Sequence, residues 1–284
     1  MNKPRNHPYV ITVLTPTFNR AYTLPRLYES LVRQTSRDFE WLVVDDGSED
    51  ETGELISRLA KNKAVRIRYI AQANAGKHIA LNTGVQQAHG DMILIVDSDD
   101  ALVDGAIQQI KDRLTEHMRE DLSGLCFRKA LFDGKLLGRV IKADAMKLNP
   151  TEASKMFKGD LAYVFKRSTM ASNPFPQIPG EKFVPELYVW NKIADMGCIV
   201  FFPEDVIYRC EYLPDGYTHN FMSTLKKNPK GFLLFYASQI SRETSVLLKL
   251  KYSIRWLQCL YYSAAKSFHR AETSEPLHSS DTLN

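Results

Sequence analysis

Cysteine is scarce in this 284-residue chain, with only Cys126, Cys198, Cys210 and Cys259 present. No two of them form a C-x-x-C pair and none stands beside a histidine at metal-ligand spacing. That excludes a structural zinc site and a disulfide framework, and leaves buried reduced thiols as the expectation. Long apolar runs are missing too: no uncharged stretch approaches the roughly 18 residues needed to span a bilayer. The first eight residues are polar and carry Pro4 and Pro8, which does not read as a signal peptide. Neither G-x-G-x-x-G nor G-x-x-x-x-G-K is found, which argues against a dinucleotide dehydrogenase and a P-loop nucleotidase. There is no internal repeat and no low-complexity tract.

What is present is an ordinary globular composition, 44% hydrophobic and 25% charged. A sizeable core is therefore expected, as one large domain with an appendage. The formal net charge of +4 hides an asymmetry. Residues 222–270 hold nine Lys or Arg against one acid, Glu243, whereas residues 1–221 are close to neutral and residues 271–284 are acidic. The basic character is local and needs its own explanation.

Apolar strands alternate with amphipathic helices over the first hundred residues. Tyr9 to Leu14, Trp41 to Val44, Val65 to Ile70 and Met92 to Val96 read as strands, the first giving way to a loop at Thr15-Pro16. Leu24 to Gln34, the stretch with Leu55, Ile56 and Leu59, and that with Ile79, Leu81 and Val85 read as helices, the second capped by Ser48 or Asp50. This β-α rhythm implies an α/β fold, a largely parallel sheet with helices on both faces. Further on, Leu122 to Phe127, Leu161 to Phe165, Cys198 to Phe202 and Val206 to Tyr208 suggest strands and Val184 to Met196 a helix. The three prolines between Ser172 and Gly180 mark a loop, and helices are expected from Phe221 to about Phe268.

Such sheets bind ligands beyond the carboxyl ends of their strands. Polar clusters fall at those ends: Thr15 to Arg20 after the first strand, Asp45 to Ser48 after the second, and Asp97-Ser98-Asp99-Asp100 after the apolar run Ile93-Leu94-Ile95-Val96. Three carboxylates in four residues repel one another. An apolar strand delivering them into one crevice calls for a cation, Mg²⁺ or Mn²⁺, whose coordination substrate phosphates complete. Gly76-Lys77 opens a helix, where glycine and lysine can meet a phosphate.

As a set these motifs resemble family 2 glycosyltransferases of the GT-A fold. The resemblance rests on Thr15-Pro16-Thr17-Phe18-Asn19-Arg20, Val44-Asp45-Asp46-Gly47-Ser48, Gly76-Lys77 with Ala80-Leu81-Asn82-Thr83-Gly84, Ala88-His89-Gly90-Asp91 and Asp97-Ser98-Asp99-Asp100, over residues 8–105. It implies that Pro16, Phe18 and Asp46 hold a nucleobase, with Thr15 and Arg20 beside them and Lys77 near the nucleotide. Asp97 and Ser98 would lie at the ribose or metal, and Asp99, with Asp97, would ligate the metal. On the acceptor side, the family's acidic pair opening a helix is replaced by Pro185-Glu186. Glu186 is the expected general base and Glu181 its rival.

The expected activity is transfer of a sugar from a nucleotide diphosphate sugar, UDP-sugar favoured, to an acceptor hydroxyl with inversion. The acceptor would be a glycan or lipid-linked glycan, in bacterial surface polysaccharide synthesis. Residues 1–104 would form the nucleotide-sugar half and residues 105–220 the acceptor half. Residues 221–270 would form a basic amphipathic helical segment suited to an anionic membrane surface, and residues 271–284 a disordered tail. The expected location is cytoplasmic, peripheral on the inner face of the plasma membrane. Two alternatives are a nucleotidyltransferase making nucleotide sugars, and a membrane-surface module with a vestigial site. Nucleic acid is not an expected partner, since no recognised nucleic-acid fold accompanies the basic segment.

Overall fold

The computed structural model describes residues 11–212 and 220–272, with side chains to Lys266. Nine strands and ten helices alternate along the described residues. The first half runs β1 (Ile11–Thr17), α1 (Leu24–Val32), β2 (Phe39–Asp45), α2 (Thr52–Lys61), β3 (Ile67–Ala71), α3 (Lys77–Gln87) and β4 (Met92–Ile95). It continues with β5 (Ala101–Leu102), α4 (Ala106–His117), β6 (Leu122–Leu131), β7 (Met146–Lys147), α5 (Pro150–Phe157), β8 (Leu161–Lys166), α6 (Arg167–Ser172), α7 (Glu186–Met196) and β9 (Cys198–Cys210). Three helices follow: α8 (Phe221–Lys227), α9 (Pro229–Arg242) and α10 (Val246–Glu272).

All strands join one sheet in the order β3-β2-β1-β4-β8-β6-β9-β5, with β7 on β9. Strands β1, β2, β3 and β4 are mutually parallel, and β6 and β9 return to the same direction because β8 lies antiparallel between β4 and β6. The carboxyl ends of β1, β2, β4, β6 and β9 therefore share one edge. The central strands β1, β2 and β4 are buried along nearly their whole length because both faces are covered, and the polar Thr12 and Glu40 within them hydrogen-bond to each other. On one face Val13, Trp41, Val43 and Leu94 meet Leu27 and Leu31 of α1, Ile56 of α2 and Ile110 of α4. On the other, Leu14, Leu42, Val44 and Ile93 meet Leu81 of α3, Phe157 of α5 and Val189, Trp190 and Ile193 of α7. Gly84 lets α3 lie flat on this face, since a Cβ there would stand 2.2 Å from Leu14 Cδ1.

Several local expectations change. Thr15 and Pro16 lie within β1 rather than in a loop. The β4 ladder ends at the Leu14–Ile95 pair, so Pro16 faces only β2, and its missing N–H costs no central hydrogen bond. The two expected strands at 198–202 and 206–208 are one strand, β9, with register shifts against β6. Ser48 does not cap α2: its Oγ accepts from the Asn19 N–H at 2.8 Å, while Asp50 Oδ1 accepts from the Thr52 N–H at 3.0 Å. The capping box of α5, Asn149 with Glu152, is a sequence signal the periodicity reading passes over. Helix α10 reaches Glu272, two residues into the expected tail, and residues 273–284 lie outside the described residues, as do Tyr9 and Val10. Cys126, Cys210 and Cys259 are buried free thiols and Cys198 is half-buried.

Candidate active site

The site is built where three chain segments end at the shared sheet edge. Residues 97–100 leave β4; Lys77 is the first residue of α3; Glu186 is the first residue of α7. Lys77 Nζ lies 2.6 Å from Asp97 Oδ1 and 2.8 Å from Glu186 Oε1. One ammonium thus bridges the expected donor-side acid and the expected acceptor-side base, 89 residues apart in sequence. Burial works against the charge on Lys77, but Asp97 and Glu186 outweigh it and hold the group well above the usual lysine range. Burial likewise opposes ionisation of Asp97, and Lys77 followed by Lys129 overcomes it, holding the carboxyl below its usual range.

Sequence reasoning missed Lys129, Tyr208 and Arg26. Lys129 of β6 pairs in register with Tyr208 of β9, and its Nζ sits 3.8 Å from the Tyr208 ring centroid. The Tyr208 hydroxyl accepts from the Asp97 N–H at 2.8 Å and donates to the Asp100 carboxylate. Arg26 of α1 donates to the Asp99 carbonyl and, at 2.6 Å, to Glu211 Oε1. The acidic turn is therefore clamped by groups from α1, β6 and β9. Nothing in sequence pointed to any of the three: Lys129 lies past the strand expected at Leu122 to Phe127, directly after Arg128.

Negative charge in the turn exceeds what the two lysines neutralise. Burial, and then the charge of Asp97, raise the Asp99 pKa. Burial pushes Asp100 up to about 7, with Lys129 opposing and Asp97 and Asp99 adding to the rise. Among the described residues no group of three or more His, Cys, Asp or Glu is arranged as a complete metal site. A hard divalent cation held between a diphosphate and one or two carboxylates needs no such group. Asp99 and Asp97 are the residues that could supply such donors.

The remaining expected site residues divide. Phe18, 46% exposed, and the partly exposed Arg20 stand in the β1–α1 loop, beyond the carboxyl end of β1. Arg20 is close enough to Asp99 for its charge to be felt there. Ser98 is buried within the acidic turn. Thr15 is corrected: it is fully buried and its Oγ1 accepts the Trp41 indole N–H at 3.0 Å, so its hydroxyl faces the core and not the crevice. Pro16 is likewise buried in the ladder opposite Val44. Asp46 is engaged by its own chain, its two oxygens accepting from Gln72 Nε2 at 2.8 Å, Ala75 N–H at 2.9 Å and Gly76 N–H at 2.7 Å. It holds the loop that aims Lys77. Gly76 completes that loop at φ +98°, with a virtual Cβ only 2.1 Å from the Lys182 carbonyl oxygen, an approach that excludes any side chain.

Glu181 is not beside Glu186 in the crevice. It is buried, and its two oxygens accept the backbone N–H groups of Lys230 at 3.0 Å and Gly231 at 2.9 Å, closing the first turn of α9. Glu181→Gln is therefore expected to destabilise the chain by about 1–3 kcal/mol, the cost of an impaired buried acceptor. Thermal melting should fall while transfer per folded molecule holds. A folded, fully stable but inactive Glu181→Gln would return the role of base to Glu181.

Comparison with known proteins places the fold. Residues 12–144 match the family model described as Glycosyl transferase family 2. An uncharacterised glycosyltransferase of Bacillus subtilis, EpsJ, is 36% identical over 124 residues, 44% of this chain and 36% of its own. The GalNAc(5)-diNAcBac-PP-undecaprenol beta-1,3-glucosyltransferase of Campylobacter jejuni is 28% identical over 169 residues, 58% of this chain and 54% of its own. The chain thus spans about half or less of the length of these relatives. Among solved structures, S. aureus TarS 1-349 in complex with UDP-GlcNAc superposes with a TM-score of 0.65 at 17% identity, covering 89% of this chain and 72% of that one. The mannosyltransferase PcManGT from Pyrobaculum calidifontis, in complex with GDP-Man and Mn²⁺, gives 0.59 at 19% identity, covering 97% and 80%. Residues 12–144 are thus similar to family 2 glycosyltransferases, and the chain shares the α/β GT-A-type fold of these solved structures, followed by a C-terminal helical region.

Proposed function

We propose that the protein transfers a sugar from a nucleoside diphosphate sugar, UDP-linked, to a hydroxyl of a glycan carried on a lipid, with inversion at the anomeric carbon. The observation carrying this reading is the single ammonium of Lys77 within hydrogen-bond reach of both Asp97 and Glu186. Inverting displacement needs a leaving-group side and a base on opposite faces of one sugar carbon, a few ångströms apart, and this is the spacing one lysine head group bridges. Residues to 104 supply the donor side, with Phe18 and Arg20 in the β1–α1 loop and Lys77 at the diphosphate; residues 105–220 supply Glu186. The carboxylate of Glu186 takes the acceptor proton as its oxygen attacks the anomeric carbon and the bond to the diphosphate oxygen breaks. A divalent cation on Asp99 and Asp97, when bound, neutralises the charge left on the diphosphate. The UDP-GlcNAc bound by TarS, the Mn²⁺ of PcManGT and the lipid-linked substrate in the name of the Campylobacter relative support these assignments.

The test is a thermal-shift screen of UDP-, GDP- and dTDP-sugars with Mn²⁺, followed by product analysis with lipid-linked and free glycan acceptors. Transfer releases a nucleoside diphosphate. Release of pyrophosphate would instead mark a nucleotidyltransferase, and absence of nucleotide binding by calorimetry would mark a vestigial site.

A further inference from the structure

The helical appendage has two apolar faces, and among the described residues only one is covered. Toward the domain, Leu225 of α8, Phe232 and Tyr236 of α9 and Cys259 of α10 are buried, with Tyr252 and Trp256 packed around them. On the other side of α10, Leu247, Leu250, Ile254, Leu257 and Tyr261 lie between 58% and 79% exposed. Their steps of three and four residues place them on one stripe about 20 Å long. No helix among the described residues is long and apolar enough to cross a membrane.

Charge selects the occupant. From Val246 to Lys266 every charged side chain is basic: Lys249, Lys251, Arg255 and Lys266. At 100° per residue Lys249 falls on one flank of the stripe and Lys251 on the other, both exposed. A second copy of the helix would bring these flanks together with no acid in that stretch to answer them. An anionic lipid surface answers them, the lysine stems lying along the apolar stripe and the ammonium groups reaching the headgroups. We infer that the exposed face of α10 docks on an anionic membrane surface. The appendage is tied to the acceptor side of the crevice: Lys266 Nζ donates to the Gly180 carbonyl at 3.0 Å, and Asn228 Oδ1 accepts the Lys182 N–H at 2.8 Å. Docking through α10 holds the 180–186 segment near the lipid. The surface stands on its own observations and does not depend on the transfer reading.

Flotation of the full chain with phosphatidylcholine vesicles, with and without phosphatidylglycerol, tests this without any donor. The wild type should float only with phosphatidylglycerol and detach at high salt. Leu250→Ser with Ile254→Ser and Leu257→Ser should lower partitioning tenfold or more, and Lys249→Glu with Lys251→Glu by about fivefold or more per residue. Because these side chains are exposed, melting temperature should not move. Failure of the wild type to float at low salt overturns the inference, as does flotation unaffected by either variant. A wild-type dimer in solution that the serine variant dissociates, with no vesicle binding, assigns the stripe to a second copy instead.

Discussion

Glu186→Gln is expected to cut turnover by about 10² or more while the apparent affinity for the donor changes little. Gln keeps the shape of the side chain and removes its ability to take a proton. Lys77 retains Asp97 at 2.6 Å, so the donor side keeps its main ion pair. The α7 start is not expected to unfold, since the buried residues of that helix, Val189, Trp190, Asn191 and Ile193, lie further along it. Initial rates against donor and acceptor concentration, with a melting curve of each variant, check the result. Turnover near wild type in Glu186→Gln would sink the assignment. The Glu181→Gln variant serves as the paired control, expected to lose stability instead of turnover.

Asp99→Ala is expected to lower kcat/KM by about 10²–10³ and to weaken nucleotide binding that depends on Mn²⁺. The fold should survive, because Asp99 sits in a turn where burial and then Asp97 already push its pKa upward. Removing one of three crowded acids relieves repulsion, so melting in metal-free buffer should hold or rise. The turn itself is retained by the Tyr208 hydroxyl on the Asp97 N–H and by Arg26 on the Asp99 carbonyl. Calorimetry of nucleotide binding with and without Mn²⁺, beside transfer assays in EDTA, reads both effects. Full wild-type activity in EDTA, or Mn²⁺-dependent binding unchanged in Asp99→Ala, contradicts a metal role for this carboxylate.

The two predictions differ in how much of their basis was legible in the sequence. Asp97 to Asp100 follow an apolar strand directly, and local order alone places them at the sheet edge. Lys77 opens a helix whose start is marked by Gly76. These are short-range facts, set by strand and helix periodicity and by glycine's access to positive φ. The central strands of the N-terminal parallel half were legible for the same reason, being buried along nearly their whole length and hence rich in apolar residues.

Side-chain engagements were not legible. Thr15, Asp46 and Glu181 carry the polar chemistry expected of a site, yet one hydroxyl meets Trp41, one carboxylate holds the Ala75 and Gly76 amides, and another closes α9. A buried polar group takes the nearest partner that satisfies it, and that partner lies elsewhere in the chain. The same holds for Lys129 and Tyr208, adjacent only because β6 and β9 pair across nearly eighty residues. The apolar residues of 222–270 were legible as apolar, but not which would be covered; Trp256 turns inward and Leu257 outward by one step of 100°. Sequence by itself determined the strand-end chemistry, because that depends on neighbours in the chain. The joining of Lys77, Asp97 and Glu186, and the exposure of one face of α10, were decided only by tertiary packing, which alone brings distant segments within hydrogen-bond reach.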